Sequence, residues 1–147
     1  MTSRPPTIRD EDGSILPLTI FYGFLSLVLI LLIVAATSLY LERKRLFTIA
    51  DGAALAGAEA FELDGVSLAS GGPRPRLVSA EVAAAVRGYL AVTPHDVESL
   101  AVERAETTDG RSATVELSAH WRPPVVTLFV PAGFRIDVTA VARSVFF

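Results

Sequence analysis

The chain has 147 residues, a formal net charge of −3 and a hydrophobic content of 51%, with a mean hydropathy of +0.47. That is too apolar for an ordinary soluble domain, and the acidic balance argues against a nucleic-acid partner and against a polybasic grip on anionic lipid. Cysteine is absent, which excludes a disulfide framework and any thiolate metal site.

Residues 1–13 carry Arg4-Pro5-Pro6 and charges of alternating sign, and read as a disordered tail. Between Gly13 and Leu41 there is no charged residue, and the run ends abruptly in Glu42-Arg43-Lys44-Arg45. Ile15 to Tyr40 as a helix spans roughly 39 Å, more than the hydrocarbon core of a bilayer. Lipid offers backbone groups no hydrogen-bond partner, so one continuous helix over 14–41 is the expected form, with the bilayer as its surroundings. Ser14 is placed to cap its start, and Pro17 falls in the first turn, where no backbone donor is needed. Tyr22 and Tyr40 stand toward the two ends, as interfacial aromatics do. Val34-Ala35-Ala36 has the small residues of a signal-peptidase site. The apolar run is too long for such a peptide, however, and Asp10-Glu11-Asp12 occupy the place of a basic leader, so an anchor is expected. Arg4, Arg9 and the amino terminus nearly balance Arg43, Lys44 and Arg45, so charge alone does not orient the helix.

Leu41 to Leu63 has no proline and is rich in Ala, Leu and Glu, which predicts that the helix continues outside the membrane over 42–63. Asp64-Gly65 is the first plausible terminator. This extension has a surface of small residues. Ala50, Ala54 and Ala58 form one row at four-residue spacing, and Gly52, Ala56 and Ala60 another, with Gly57 between them. Small residues allow two backbones to approach closely. Either a sheet or short helix of the same chain packs there, or neighbouring helices of other subunits do, and both readings hold if different faces are used.

Three stretches, in order and at this spacing, carry a resemblance: Gly13-Ser14-Ile15-Leu16-Pro17-Leu18, Tyr40-Leu41-Glu42-Arg43-Lys44-Arg45-Leu46, and Ala50-Asp51-Gly52-Ala53-Ala54-Leu55-Ala56-Gly57-Ala58. Together they resemble the N-terminal region of TadE/TadG-like proteins of bacterial tight-adherence (Flp-type) pilus systems. The resemblance covers Asp12 to about Phe61. It implies a minor pilin or pseudopilin in the cytoplasmic membrane, its N-terminus cytoplasmic and its C-terminal domain extracytoplasmic. The implied partners are other pilin or pseudopilin subunits and Tad-type inner-membrane platform proteins. Processed pilins of this kind carry a glutamate five residues after the scissile glycine. Here Leu18 stands at that distance from Gly13, so the leader before Ser14 is expected to remain attached.

Beyond the long helix, Gly71-Gly72-Pro73-Arg74-Pro75 is a breaker cluster. A second helix begins at Ser79-Ala80-Glu81, with Val82, Ala85, Val86, Tyr89 and Leu90 at helical spacing, and ends near Thr93-Pro94. From Val97 the period becomes two. Ala113, Val115, Leu117, Ala119 and Trp121 alternate with polar residues, and Phe134, Ile136, Val138, Ala140 and Ala142 alternate with Arg135, Asp137, Thr139, Val141 and Arg143, which predicts two half-buried strands. Pro123-Pro124 opens a turn or short helix through Val130, closed by Pro131-Ala132-Gly133. Asp109-Gly110 is a two-residue type I′ hairpin signal. Closed there, Thr108 faces Arg111, Leu100 faces Ala119, Val102 faces Leu117, and Glu103 faces Glu116. Opposed like charges are unfavourable, so Arg135 or Arg143 from the third strand is expected beside them, which places that strand alongside the hairpin. Two carboxylates are far too few to hold calcium.

The predicted fold class is α+β: a single N-terminal transmembrane helix continuing into a long amphipathic helix, packed on a small antiparallel sheet of about three strands with a second short helix, in the manner of a pseudopilin. Residues 64–147 form the small extracytoplasmic domain. His95 lies in a turn and His120 on a polar strand face, and no nucleophile elbow, phosphate loop or zinc-binding helix motif is present. No enzyme, cofactor, metal or small-molecule substrate is expected. In the last strand Val141, Val145 and Phe147 share the face opposite the core, and such a row is either covered by the protein's own helix or meets a partner. The expected function is structural, as a subunit of a Tad/Flp-type pilus or related secretion apparatus. The alternative is a membrane-tethered extracytoplasmic module that binds an envelope component or ligand.

Overall fold

The computed structural model describes residues 15–61, 76–123 and 133–143. Helix α1 runs unbroken from Ile15 to Ala58, 44 residues, or roughly 66 Å at the usual helical rise. Its only proline, Pro17, sits in the first turn, where it removes no helical hydrogen bond. The charge cluster does not interrupt it. Arg45 instead reaches back one turn to Glu42, at 3.7 Å, and the Thr48 hydroxyl donates to the Lys44 carbonyl at 3.0 Å.

The helix closes at Ala58 and not at the expected Leu63. Ala60 N–H donates to the Gly57 carbonyl at 3.3 Å and Phe61 N–H to the Glu59 carbonyl at 2.9 Å. This tightening ends the helical ladder just after Gly57, the residue that supports a helix least. It also turns Phe61 onto the core. Asp64-Gly65 and Gly71–Pro75 lie outside the described residues, as do Gly13 and Ser14.

Helix α2, Ser79–Val92, matches its expected span and stops before Pro94. Ser79 does not cap it. Its hydroxyl donates to the Thr107 carbonyl and accepts from the Thr107 N–H, both at 3.2 Å, tying the start of α2 to the hairpin connection. Three antiparallel strands follow, β1 (Ala101–Glu106), β2 (Ser112–Trp121) and β3 (Phe134–Arg143), in spatial order β1-β2-β3. Residues of period two fall on one face: Ala113, Val115, Leu117 and Ala119 of β2, with Val138 and Ala140 of β3, are buried. That face meets α1, which packs on β2 and β3, while α2 lies toward β1.

The β1–β2 register corrects the sequence expectation. Val102 does pair with Leu117, but the register shifts between Val102 and Arg104, so that Arg104 faces Glu116 and Glu106 faces Thr114. Glu103 is the extra residue of a β-bulge. The connection is therefore five residues, Thr107–Arg111, and not a two-residue turn. Asp109 organises it. Its carboxylate accepts from the backbone N–H groups of Arg111 at 2.8 Å and Ser112 at 2.7 Å, and from the Ser112 hydroxyl at 3.0 Å. Gly110 takes φ +66°, the left-handed conformation that glycine tolerates.

Candidate membrane and assembly surfaces

The small-residue surface of α1 is an internal seam. Ala50, Ala53, Ala54 and Ala58 are at most 1% exposed, and Gly57 is buried with them. A Cβ on Gly57 would lie 3.1 Å from Val82 Cγ1, 3.2 Å from Ala113 Cβ and 3.4 Å from Val86 Cγ2. The absence of that atom lets α1, α2 and β2 converge at one point. Gly52 serves the neighbouring contact, since a Cβ there would fall against the Tyr89 ring and hydroxyl. Of the two sequence readings, the chain's own helix and sheet occupy the row Ala50, Ala54, Gly57 and Ala58, so this row is not free for another subunit. The opposite side of the helix is a different surface, with Asp51 and Leu55 exposed.

The outer face of the sheet carries a charged row. Glu103 accepts a 2.6 Å hydrogen bond from the Ser118 hydroxyl and lies 3.2 Å from Arg135 Nη2. Arg135 Nε meets Asp137 at 2.9 Å. Hydrogen bonding to Asp137, with the charges of Asp137 and Glu103, raises the Arg135 pKa above its ordinary value. Glu116 faces Arg104 at 3.7 Å. The expected Glu103–Glu116 opposition is thus removed by the bulge, and Arg135 of β3 supplies the expected relief by reaching across β2. The hairpin carboxyl of Asp109 is held down to about 2 by the backbone N–H groups of Arg111 and then Ser112.

A further contact, between residues 83 apart in sequence, had no signal in the sequence. The Trp121 indole N–H donates to the Ser38 hydroxyl at 3.2 Å. Trp121 and its cross-strand partner Phe134 form an aromatic pair with centroids 6.2 Å apart. Beside this corner a groove between α1 and β3 is lined by Ala36, Leu39, Tyr40, Arg43, Arg135, Ile136 and Asp137. Ile15 to Val34, by contrast, is exposed at every position but Leu31. Tyr22 and Tyr40 are both exposed. Val141 is exposed on the outer side of β3, while Val145 and Phe147 lie outside the described residues.

His95 and His120 are exposed, and no group of three or more His, Asp or Glu that could hold a metal occurs among the described residues. The described residues form an α+β unit built onto one helix long and apolar enough to cross a membrane. Residues 13–60 match the family described as putative Flp pilus-assembly TadE/G-like, which bears out the resemblance read over Asp12 to about Phe61. That match covers α1 and its closing turn, and α2 and the sheet lie beyond it. No curated protein and no solved structure matches the chain.

Proposed function

We propose that the protein is a membrane-anchored structural subunit of a Tad/Flp-type pilus or a related secretion apparatus, a minor pilin or pseudopilin. The observation that carries this reading is the coincidence of the TadE/G-like match, residues 13–60, with a helix whose first half is bare apolar surface. In water that surface is prohibitively costly; in a bilayer it needs no cover. Residues 1–13 then form a cytoplasmic tail, α1 crosses the inner membrane, and its continuation carries the domain on the extracytoplasmic side. The helix holds the subunit in the membrane until other pilin subunits and the platform proteins engage it. With the small-residue row occupied internally, subunit contacts fall to the exposed side of α1 and to the outer side of β3 at Val141, continued in sequence by Val145 and Phe147.

The test is made in the native host. Affinity purification of the full chain from gently solubilised membranes should recover Tad-type platform or pilin proteins, and deletion should reduce surface pili. A phosphatase fused after Phe147 should be active only if the domain is extracytoplasmic. Unchanged piliation together with no apparatus protein in the eluate would sink the proposal.

A further inference from the structure

We infer that the Trp121–Phe134 end of the sheet rests in the phospholipid headgroup layer. This rests on the membrane-anchor reading of α1, and the observation behind it is where the sheet meets that helix. Counting ~30 Å of hydrocarbon from Ile15 at ~1.5 Å per residue places the boundary near Val34. Ser38, which holds the Trp121 indole, is then about 6 Å further on, inside a headgroup layer some 5–7 Å deep.

Two observations keep α1 from sliding either way. Deeper insertion would draw Arg135 and Asp137, which line the same groove as Ala36 and Leu39, into hydrocarbon, where charges are expensive. Shallower insertion would leave Leu32 and Ile33, each 64% exposed, in water. The groups at this boundary suit it. Indole and phenyl rings favour the headgroup level, where one edge is wet and the other apolar, and Phe134 is half exposed.

The domain is thus seated on the membrane and does not stand off it, whichever side it occupies.

Trp121 is the chain's single tryptophan, which makes it a clean probe. The full chain is reconstituted in phosphatidylcholine vesicles brominated on the acyl chains either near the headgroup or near the bilayer centre. The expected result is stronger quenching of Trp121 by the shallow bromines than by the deep ones, with weak quenching by aqueous acrylamide. Phe134→Glu should shift the balance toward acrylamide while the chain still floats with the vesicles. Quenching by acrylamide alone, in protein that floats with the vesicles, overturns the seating and leaves the anchor standing. Stronger quenching by the deep bromines overturns the headgroup placement. Protein that does not float at all overturns both the anchor and the seating.

Discussion

Gly57 is where the fold is most exposed to a single added atom. Replacing it with alanine places a methyl 3.1 Å from Val82 Cγ1 and 3.2 Å from Ala113 Cβ, inside the 3.5–4.0 Å optimum for carbon pairs. Overpacking of this kind costs about 1–3 kcal/mol. Replacing a glycine returns up to about 1 kcal/mol in a helix interior and less at Gly57, one residue from the end of α1. The two effects leave Gly57→Ala between neutral and about 3 kcal/mol less stable. Gly57→Leu is different in kind, because three further carbons must displace Val82, Val86 or Ala113 and part α2 from α1. A loss above about 3 kcal/mol is expected, which for a domain of this size lowers Tm by more than about 12 °C. Gly88 is the control. A Cβ there has no neighbour within 4 Å, so Gly88→Ala should gain up to about 1 kcal/mol from propensity alone. The assay is a thermal melt of the full chain in micelles, followed by Trp121 fluorescence. A Gly57→Leu protein that melts with the wild type would refute the three-way seam.

Four other outcomes are expected. Ser38→Ala removes the acceptor for the Trp121 indole and should cost about 0.5–1.5 kcal/mol in the same melt, with a change in Trp121 emission. Asp109 has a folded-state pKa depressed to about 2 from 3.8, so its stabilisation is present above the unfolded value and lost as pH falls through the folded one. Asp109→Ala should therefore lower Tm at neutral pH, by a margin that narrows below pH 4 and closes near pH 2; a constant margin counts against the turn assignment. Val141→Glu should leave the melt unchanged and reduce recovery of pilus components, whereas normal recovery removes the outer side of β3 as an interface. Mass spectrometry of the membrane-extracted protein should find residues 2–13 attached, and a mature N-terminus at Ser14 would contradict the reading of Leu18.

Elements with strong local periodicity were legible from the residues themselves. The charge-free run, the helix signal from Ser79 and the alternation of Ala113–Trp121 and Phe134–Ala142 all appear where expected. What escaped depends on partners distant in the chain. The bulge at Glu103 answers to Ser118 and Arg135, and no pattern within β1 announces it. The hairpin signal at Asp109-Gly110 marked the right place but the wrong loop, because the register shift lies several residues upstream. Likewise, the row Ala50, Ala54 and Ala58 announces close approach without naming the neighbour. That neighbour turns out to be α2 and the sheet of the same chain, brought there by residues far along the sequence.

The unbroken course of α1 through Tyr40–Ile49 has a mechanical consequence. With no hinge between lipid and domain, the tilt of the membrane segment is the tilt of the whole subunit. Pivoting by about 20° at Val34, a typical tilt for a spanning helix, swings Ala58, about 36 Å further along, sideways by about 12 Å. Bilayer thickness, which sets how far such a helix must lean, thereby becomes an input to where the sheet stands relative to its neighbours. A thinner membrane moves this subunit as a lever.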